Sequence, residues 1–126
     1  MSKSNLRLGK SSEDLATKFL QNNGYKIIAR NYKTALGEVD IIAKDKDTIC
    51  FIEVKSRNSD RFGMPQEAVS PFKQRQISKA ALSFLKSRNL LDDKARFDVV
   101  SIICAFNNPQ IRLIKNAFEL SQDFSY

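Results

Sequence analysis

Val39-Asp40-Ile41-Ile42-Ala43-Lys44-Asp45-Lys46-Asp47-Thr48-Ile49-Cys50-Phe51-Ile52-Glu53-Val54-Lys55 is an apolar run, a polar turn and a second, longer apolar run. β-Branched and aromatic residues fill both runs, which predicts strands over 39–43 and 48–55 joined as a hairpin. The second run is apolar on both faces until Glu53 and Lys55, so it reads as a buried central strand that ends in charge. Charges in such a place are costly unless they are paired or hold something. A two- or four-residue connection through 44–47 pairs position i with 91−i and sets Asp40 opposite Phe51. Asp40, Phe51, Glu53 and Lys55 then share a face, because strand side chains alternate with period two. Asp40 and Glu53 become diagonal neighbours, about 7–8 Å apart.

Outward from this hairpin the pattern gives α-β-β-β-α-β-β. Ser11 and Asp14, in capping-box spacing, predict a helix over 11–23 that stops at Gly24 and buries Leu15, Ala16, Phe19 and Leu20. Glu13 precedes Ala16 and Leu20 by three and seven residues and so can follow the inward stripe, although a first-turn acid also suits the helix dipole. A first strand is expected over 25–32. Ser70-Pro71 reads as an N-cap followed by proline at the first helical position. The helix it opens carries Ile77, Ala80, Ala81, Phe84 and Leu85 at core-facing spacing. Further strands are expected over 96–105 and 111–118, joined at Asn107-Asn108-Pro109, with 121–126 a loose tail. One α/β domain over 1–120, a mixed sheet flanked by helices, accounts for the whole pattern.

Composition narrows the chemistry. The chain has 126 residues, 42% hydrophobic and 28% charged, so it has the means to bury a core. Histidine is absent, which excludes Ser-His and Cys-His couples and any His-containing zinc site. Two cysteines cannot fill a structural zinc tetrahedron, and Cys50 and Cys104, each in an apolar run, read as core residues of a reducing compartment. No stretch approaches the roughly 20 apolar residues of a membrane span, and no apolar secretory region opens the chain. The net charge of +7 is concentrated: residues 55–88 alone carry +6. Such a block is either a solvated helix face or a surface that neutralises phosphates.

Two convergent carboxylates without imidazole or thiolate make a hard oxygen site suited to Mg²⁺ or Mn²⁺. Such an ion polarises a phosphoryl oxygen and activates water. Lys55 is placed to orient that water or to stabilise developing charge, and Glu13 to add a metal contact. The plainer reading is a Glu53–Lys55 ion pair with Asp40 at a turn. Glu38 reads as solvated, Asp98 as a paired structural acid, and Lys73 as either a phosphate contact or a helix-side lysine. Phe62 and Phe72 read as core or loop anchors before base-stacking residues.

Several stretches together resemble a known family: Glu13-Asp14-Leu15-Ala16, Arg30-Asn31, Gly37-Glu38-Val39-Asp40-Ile41-Ile42-Ala43 and Phe51-Ile52-Glu53-Val54-Lys55-Ser56-Arg57. Glu67-Ala68-Val69, Lys73-Gln74-Arg75 and Arg96-Phe97-Asp98-Val99-Val100 extend the match. The sequence is similar to the YraN-like family of small bacterial proteins, predicted members of the PD-(D/E)xK, restriction-endonuclease-like nuclease superfamily. More remotely it resembles archaeal Holliday-junction resolvases. The resemblance implies that Asp40, Glu53 and Lys55 fill the D, (D/E) and K of the signature and that Glu13 is the first-helix acid. Val39 stands where the signature has its proline.

The resulting expectation is a cytoplasmic, Mg²⁺- or Mn²⁺-dependent endonuclease that hydrolyses DNA phosphodiesters, branched or structured DNA included. Asp40, Glu53 and Glu13 would hold the metal and Lys55 would serve the water. Arg57, Lys73, Arg75 and Lys79 would contact phosphates, with DNA expected ahead of RNA. Two-strand cutting would be easier for a homodimer, though no segment marks a dimer face. The alternatives are a non-catalytic nucleic-acid-binding protein that retains the fold, and an adaptor whose basic face meets an acidic partner.

Overall fold

The computed structural model describes residues 3–57, 69–104 and 108–121, with side chains from residue 12 onward. The elements run α1 (Lys3–Asn22), β1 (Lys26–Thr34), β2 (Gly37–Asp45), β3 (Thr48–Arg57), α2 (Pro71–Ser87), β4 (Lys94–Ile103) and β5 (Gln110–Phe118). This is the order expected. The five strands form one open mixed sheet in the order β1-β2-β3-β4-β5. Only β3 and β4 run parallel, because α2 carries the chain across between them.

The helices cover opposite faces. On one side the α2 stripe of Ile77, Ala80, Ala81, Phe84 and Leu85 packs on Ile42, Ile49, Phe51, Phe97 and Val99. On the other, Ala16 and Leu20 of α1 pack on Ile41, Ala43, Cys50, Ile52, Val100 and Ile102. The central strand β3 feeds both cores, which is why its sequence does not alternate. Ser70 caps α2 as expected, its hydroxyl accepting the Lys73 N–H at 3.1 Å. Helix α1 stops at Gly24 (φ +87°), with the Tyr25 N–H on the Leu20 carbonyl and the Gly24 N–H on that of Gln21.

Two expectations about these elements are corrected. Helix α1 begins at Lys3, eight residues before Ser11. The Ser11–Asp14 stretch is therefore helix interior: the buried Ser12 hydroxyl donates to Ser56 Oγ on β3 at 3.0 Å, and Asp14 pairs with Arg30 at 2.7 Å. The hairpin register is 93−i rather than 91−i: Asp45 pairs with Thr48 around Lys46-Asp47, and Ile42 with Phe51. The turn is two residues long because Lys46 takes a left-handed conformation at φ +57°. Phe72 also departs from its expected core or anchoring role, standing 61% exposed. Phe62 and Asn107 lie outside the described residues; of the loop expected over 56–65, Ser56 and Arg57 belong to β3 and the rest lies outside the described residues. Of the expected tail only Ser121 is described, its N–H bonded to Ser78 Oγ at 3.1 Å.

One end of the sheet is locked by charge. Asp98 is fully buried and receives Arg96 Nε at 3.0 Å and the Asn116 N–H at 2.8 Å. Arg96 also donates to Asp45 at 2.9 Å and to the Tyr25 hydroxyl at 2.7 Å. Asp98 is therefore the paired structural acid that was expected, and the cluster ties β2, β4, β5 and the entry to β1 together. Glu38 is exposed, also as expected. Cys50 is a buried free thiol, pushed up to about 12 by burial, whereas Cys104 is only half-buried. Among the described residues no helix is long and apolar enough to cross a membrane.

At the other end the β1–β2 turn meets α2. A Cβ on Gly37 would stand 2.3 Å from the backbone carbonyl oxygen of Gln76, so only glycine lets the hairpin and helix approach this closely. Gly37→Ala is expected to cost about 1–3 kcal/mol and to lower Tm by roughly 3–10 °C. Adding Gln76→Ala should give no rescue, because the clash is with backbone. An unchanged Tm in thermal unfolding would contradict this packing.

Candidate metal centre

Where β2 and β3 stop pairing, the sheet forks. Their ladder ends at Ile41↔Ile52. Before that point β2 stays with β1 through Val39↔Tyr32 and Gly37↔Thr34. Beyond it β3 stays with β4 as far as Arg57↔Ile103. Asp40 and Glu53 are the next residues of the two strands, one on each side of the opening.

A kink in the neighbouring strands aims Asp40 into that fork. Val39 and Ile42, three residues apart, both join the α2-side core, while Ile41 and Ala43 join the α1-side core. A regular strand cannot place residues three apart on one face, so β2 is irregular at Asp40. In β1, Ala29 and Tyr32 show the same spacing on the α2 side. Between them Asn31 takes φ +52°, a conformation asparagine tolerates better than most residues. The register sets Asn31 across from Asp40, so the two kinks coincide. The Asp40 carboxylate turns into the fork and accepts the Val54 N–H at 2.8 Å.

Glu53 is 6% exposed on the α2 side. Burial pushes its carboxyl up to about 8, and the Asp40 carboxyl, close enough to share a proton with it, pushes in the same direction. Lys73 and Lys55 oppose that shift. Lys73 reaches across from the first turn of α2, its Nζ 3.8 Å from Glu53 Oε2. The structure thus brings Lys73 to the carboxylates themselves. Lys55 and Arg57 follow Glu53 at alternate positions of β3 and share its face.

Glu13 approaches from α1. Its carboxyl is also raised, by burial first and then by Asp40, with Arg30 and Asn31 pulling it down. Arg30 Nη2 stands 3.9 Å from the buried Glu13 Oε1, too far to hydrogen-bond, and that oxygen accepts no hydrogen bond. Asp40, Glu53, Lys55, Lys73 and Glu13 therefore meet at one end of the sheet. Arg75 and Lys79 lie further along α2, with the Arg75 guanidinium 5.9 Å from the Phe72 ring centre.

The donor set suits a hard divalent cation in part. Asp40 and Glu53 supply two carboxyl groups, with the Lys73 ammonium 3.8 Å from Glu53. Among the described residues, however, no group of three or more His, Cys, Asp or Glu stands ready to enclose an ion. Glu13 is within electrostatic reach without closing a cage. Two carboxyl groups are donors of the kind Mg²⁺ or Mn²⁺ takes, since these ions keep several waters and use few protein ligands.

The Asn31 kink and the Lys73–Glu53 contact were the features not read from sequence as parts of the site. Asparagine inside a β-branched strand was the available signal for the first. The second joins residues twenty positions apart on different elements and left no local trace.

Fold and site together define a small mixed α/β protein whose sheet forks around paired carboxylates flanked by lysines. The chain belongs to the uncharacterised protein family UPF0102, the YraN-like family, whose family model matches residues 12–102. It is 50% identical to a UPF0102 protein of Syntrophus aciditrophicus over 117 residues, covering 93% of this chain and 92% of that one. A relative from Geobacter metallireducens is 52% identical over 121 residues, covering 96% and 99%. A third, from Geobacter sulfurreducens, is 52% identical over 115 residues, covering 90% of each chain.

The raised Glu53 carboxyl has a measurable consequence. Because it holds a proton more tightly when folded, it contributes stability that is complete below about pH 4.5 and lost as the pH rises towards about 8. Glu13 acts in the same direction. Denaturant melts should show wild type losing stability across this window and Glu53→Gln losing most of that dependence. A flat wild-type profile would contradict the electrostatics of the fork.

Proposed function

We propose that this protein is a metal-dependent nuclease of the PD-(D/E)xK superfamily that hydrolyses DNA phosphodiesters in the cytoplasm. The observation that carries the reading is the meeting of Asp40 and Glu53 at the fork of β2 and β3, with Lys55 on the face of Glu53 and Lys73 in contact with it. Element order, the hard-oxygen donor set and the basic block from Lys55 to Arg88 support it from three independent directions.

Asp40 and Glu53 are the residues that would hold Mg²⁺ or Mn²⁺. When bound, such an ion polarises the phosphoryl oxygen and lowers the pKa of water. The protein's own groups do the rest. Asp40 is fixed by the Val54 N–H, so one of its oxygens is oriented before any ligand arrives. Lys55 projects from the strand that carries Glu53 and donates to the attacking water or to the phosphate oxygen that gains charge. Lys73 faces Glu53 at 3.8 Å, and with a metal on that carboxylate its ammonium would be available to phosphate. Glu13 Oε1, buried and without a donor, is positioned to accept from a water at the rim. Arg57, Arg75 and Lys79 carry the positive surface onward along β3 and α2.

A non-catalytic nucleic-acid-binding protein is the second reading. One observation favours it: the Lys73–Glu53 pair occupies one of the two carboxylates. Val39 in place of the signature proline points the same way.

One experiment separates them. Wild type, Asp40→Asn and Lys55→Ala are incubated with linear, flapped and four-way DNA, with and without Mn²⁺. The nuclease reading expects Mn²⁺-dependent cleavage that falls at least about 100-fold in both variants. Salt-sensitive binding without cleavage of any substrate would establish the second reading instead.

A further inference from the structure

Helix α2 has two faces of different chemistry. Its buried stripe starts at Ile77 and continues through Ala80, Ala81, Phe84 and Leu85. Phe72 lies off that stripe, on the side that continues through Arg75 and Lys79 at helical spacing. It is 61% exposed, the most exposed of the large hydrophobic residues described and the one aromatic among them. The others, Ile28, Leu36, Leu91 and Leu120, lie on the edge strand β1 or in turns and loops.

A lone exposed apolar residue is ordinary. This one differs in its neighbours. Lys73, the next residue, reaches the buried carboxyl of Glu53 at 3.8 Å, so Phe72 belongs to the same first turn of α2 that borders the carboxylate site. Arg75 holds its guanidinium 5.9 Å from the ring centre, on the same side of the helix. An exposed aromatic face at the head of a cationic track is the combination that binds single-stranded nucleic acid. The cations follow the backbone while the ring stacks on a base, and stacking needs a base already out of the duplex. Paired bases inside a duplex offer no free face.

We infer that Phe72 is a stacking platform for an unpaired base next to the cleavage site, so that the preferred substrate is DNA with a single-stranded segment at that point. The inference rests on the nucleic-acid reading above and adds a specificity-determining residue to it. Stacking is sequence-tolerant because every base has a π-face, so the ring selects for unpaired structure and carries no base preference. Arg75 and Lys79 contribute equally to single-stranded and duplex binding, because phosphates are common to both.

Fluorescence anisotropy without divalent metal tests this, using a labelled duplex and the same duplex bearing a single-stranded flap. Phe72→Ala is expected to weaken flap binding about 5- to 150-fold and to leave duplex binding unchanged. Phe72→Trp should restore flap binding, whereas Phe72→Leu, which stays apolar without a stacking face, should not. A fluorescent adenine analogue in the flap should be quenched by wild type and not by Phe72→Ala. Equal losses on both DNAs, no loss on the flap, or full rescue by leucine would each overturn the inference while leaving the nucleic-acid reading intact. If wild type binds neither DNA in a salt-sensitive manner, the nucleic-acid reading fails and this inference fails with it.

Discussion

The hydrogen bond from the Val54 amide to the Asp40 carboxylate, 2.8 Å long, stands where a β2 carbonyl would continue the hairpin ladder. A side chain has replaced backbone at that rung. Because it has, β2 keeps its pairing with β1, β3 keeps its pairing with β4, and the space between them opens without leaving the Val54 N–H unsatisfied. The left-handed Asn31 on the neighbouring strand provides the matching kink. Everything that gathers at this end of the sheet, including Glu53, Lys55, Lys73 and Glu13, gathers around that opening.

Gathering acids there opposes stability. Glu53 is buried beside a second carboxyl and holds its proton far above the usual glutamate range, and the Lys73 ammonium at 3.8 Å compensates it only in part. The opposite end of the sheet is built the other way. Asp98, fully buried, is saturated by Arg96 and the Asn116 amide, and Arg96 is in turn shared with Asp45 and Tyr25. One end pairs its buried acid and fixes the strands. The other holds two carboxyl groups against each other, an arrangement that a bound cation would relieve. The Gly37–Gln76 approach connects hairpin to helix α2, so the lysine on α2 and the carboxylates on the sheet hold a fixed relation.

Much of this was legible in the residues because the forces concerned are local. The apolar runs of 39–43 and 48–55, split by a polar turn, marked the hairpin. The 77–85 stripe gave α2, and Ser70-Pro71 gave its start. Parity alone placed Asp40 with Glu53 and Lys55, and it survived a register wrong by one step because 91−i and 93−i are both odd. The step itself was hidden because Lys46, not glycine or asparagine, takes the left-handed turn position. The true start of α1 was hidden because Ser11 and Asp14 have capping-box spacing, whereas Asp14 is engaged by Arg30 on β1. Phe72 was read as core or anchor from its residue type, when its position opposite the Ile77 stripe already placed it in solvent. The contacts that make the site, Lys73 to Glu53 and Glu13 towards Asp40, join elements far apart in sequence and leave no periodic trace.

The central claim is that the fork between β2 and β3 is a divalent-cation site built on Asp40 and Glu53. Anomalous diffraction from crystals of the protein soaked in Mn²⁺ tests it most directly. The forked geometry predicts an anomalous peak within coordination distance of both carboxylates, with Lys73 withdrawn from Glu53, and no such peak in Asp40→Asn. Crystals saturated with Mn²⁺ that show no peak at the fork, with the Lys73–Glu53 contact undisturbed, would contradict it.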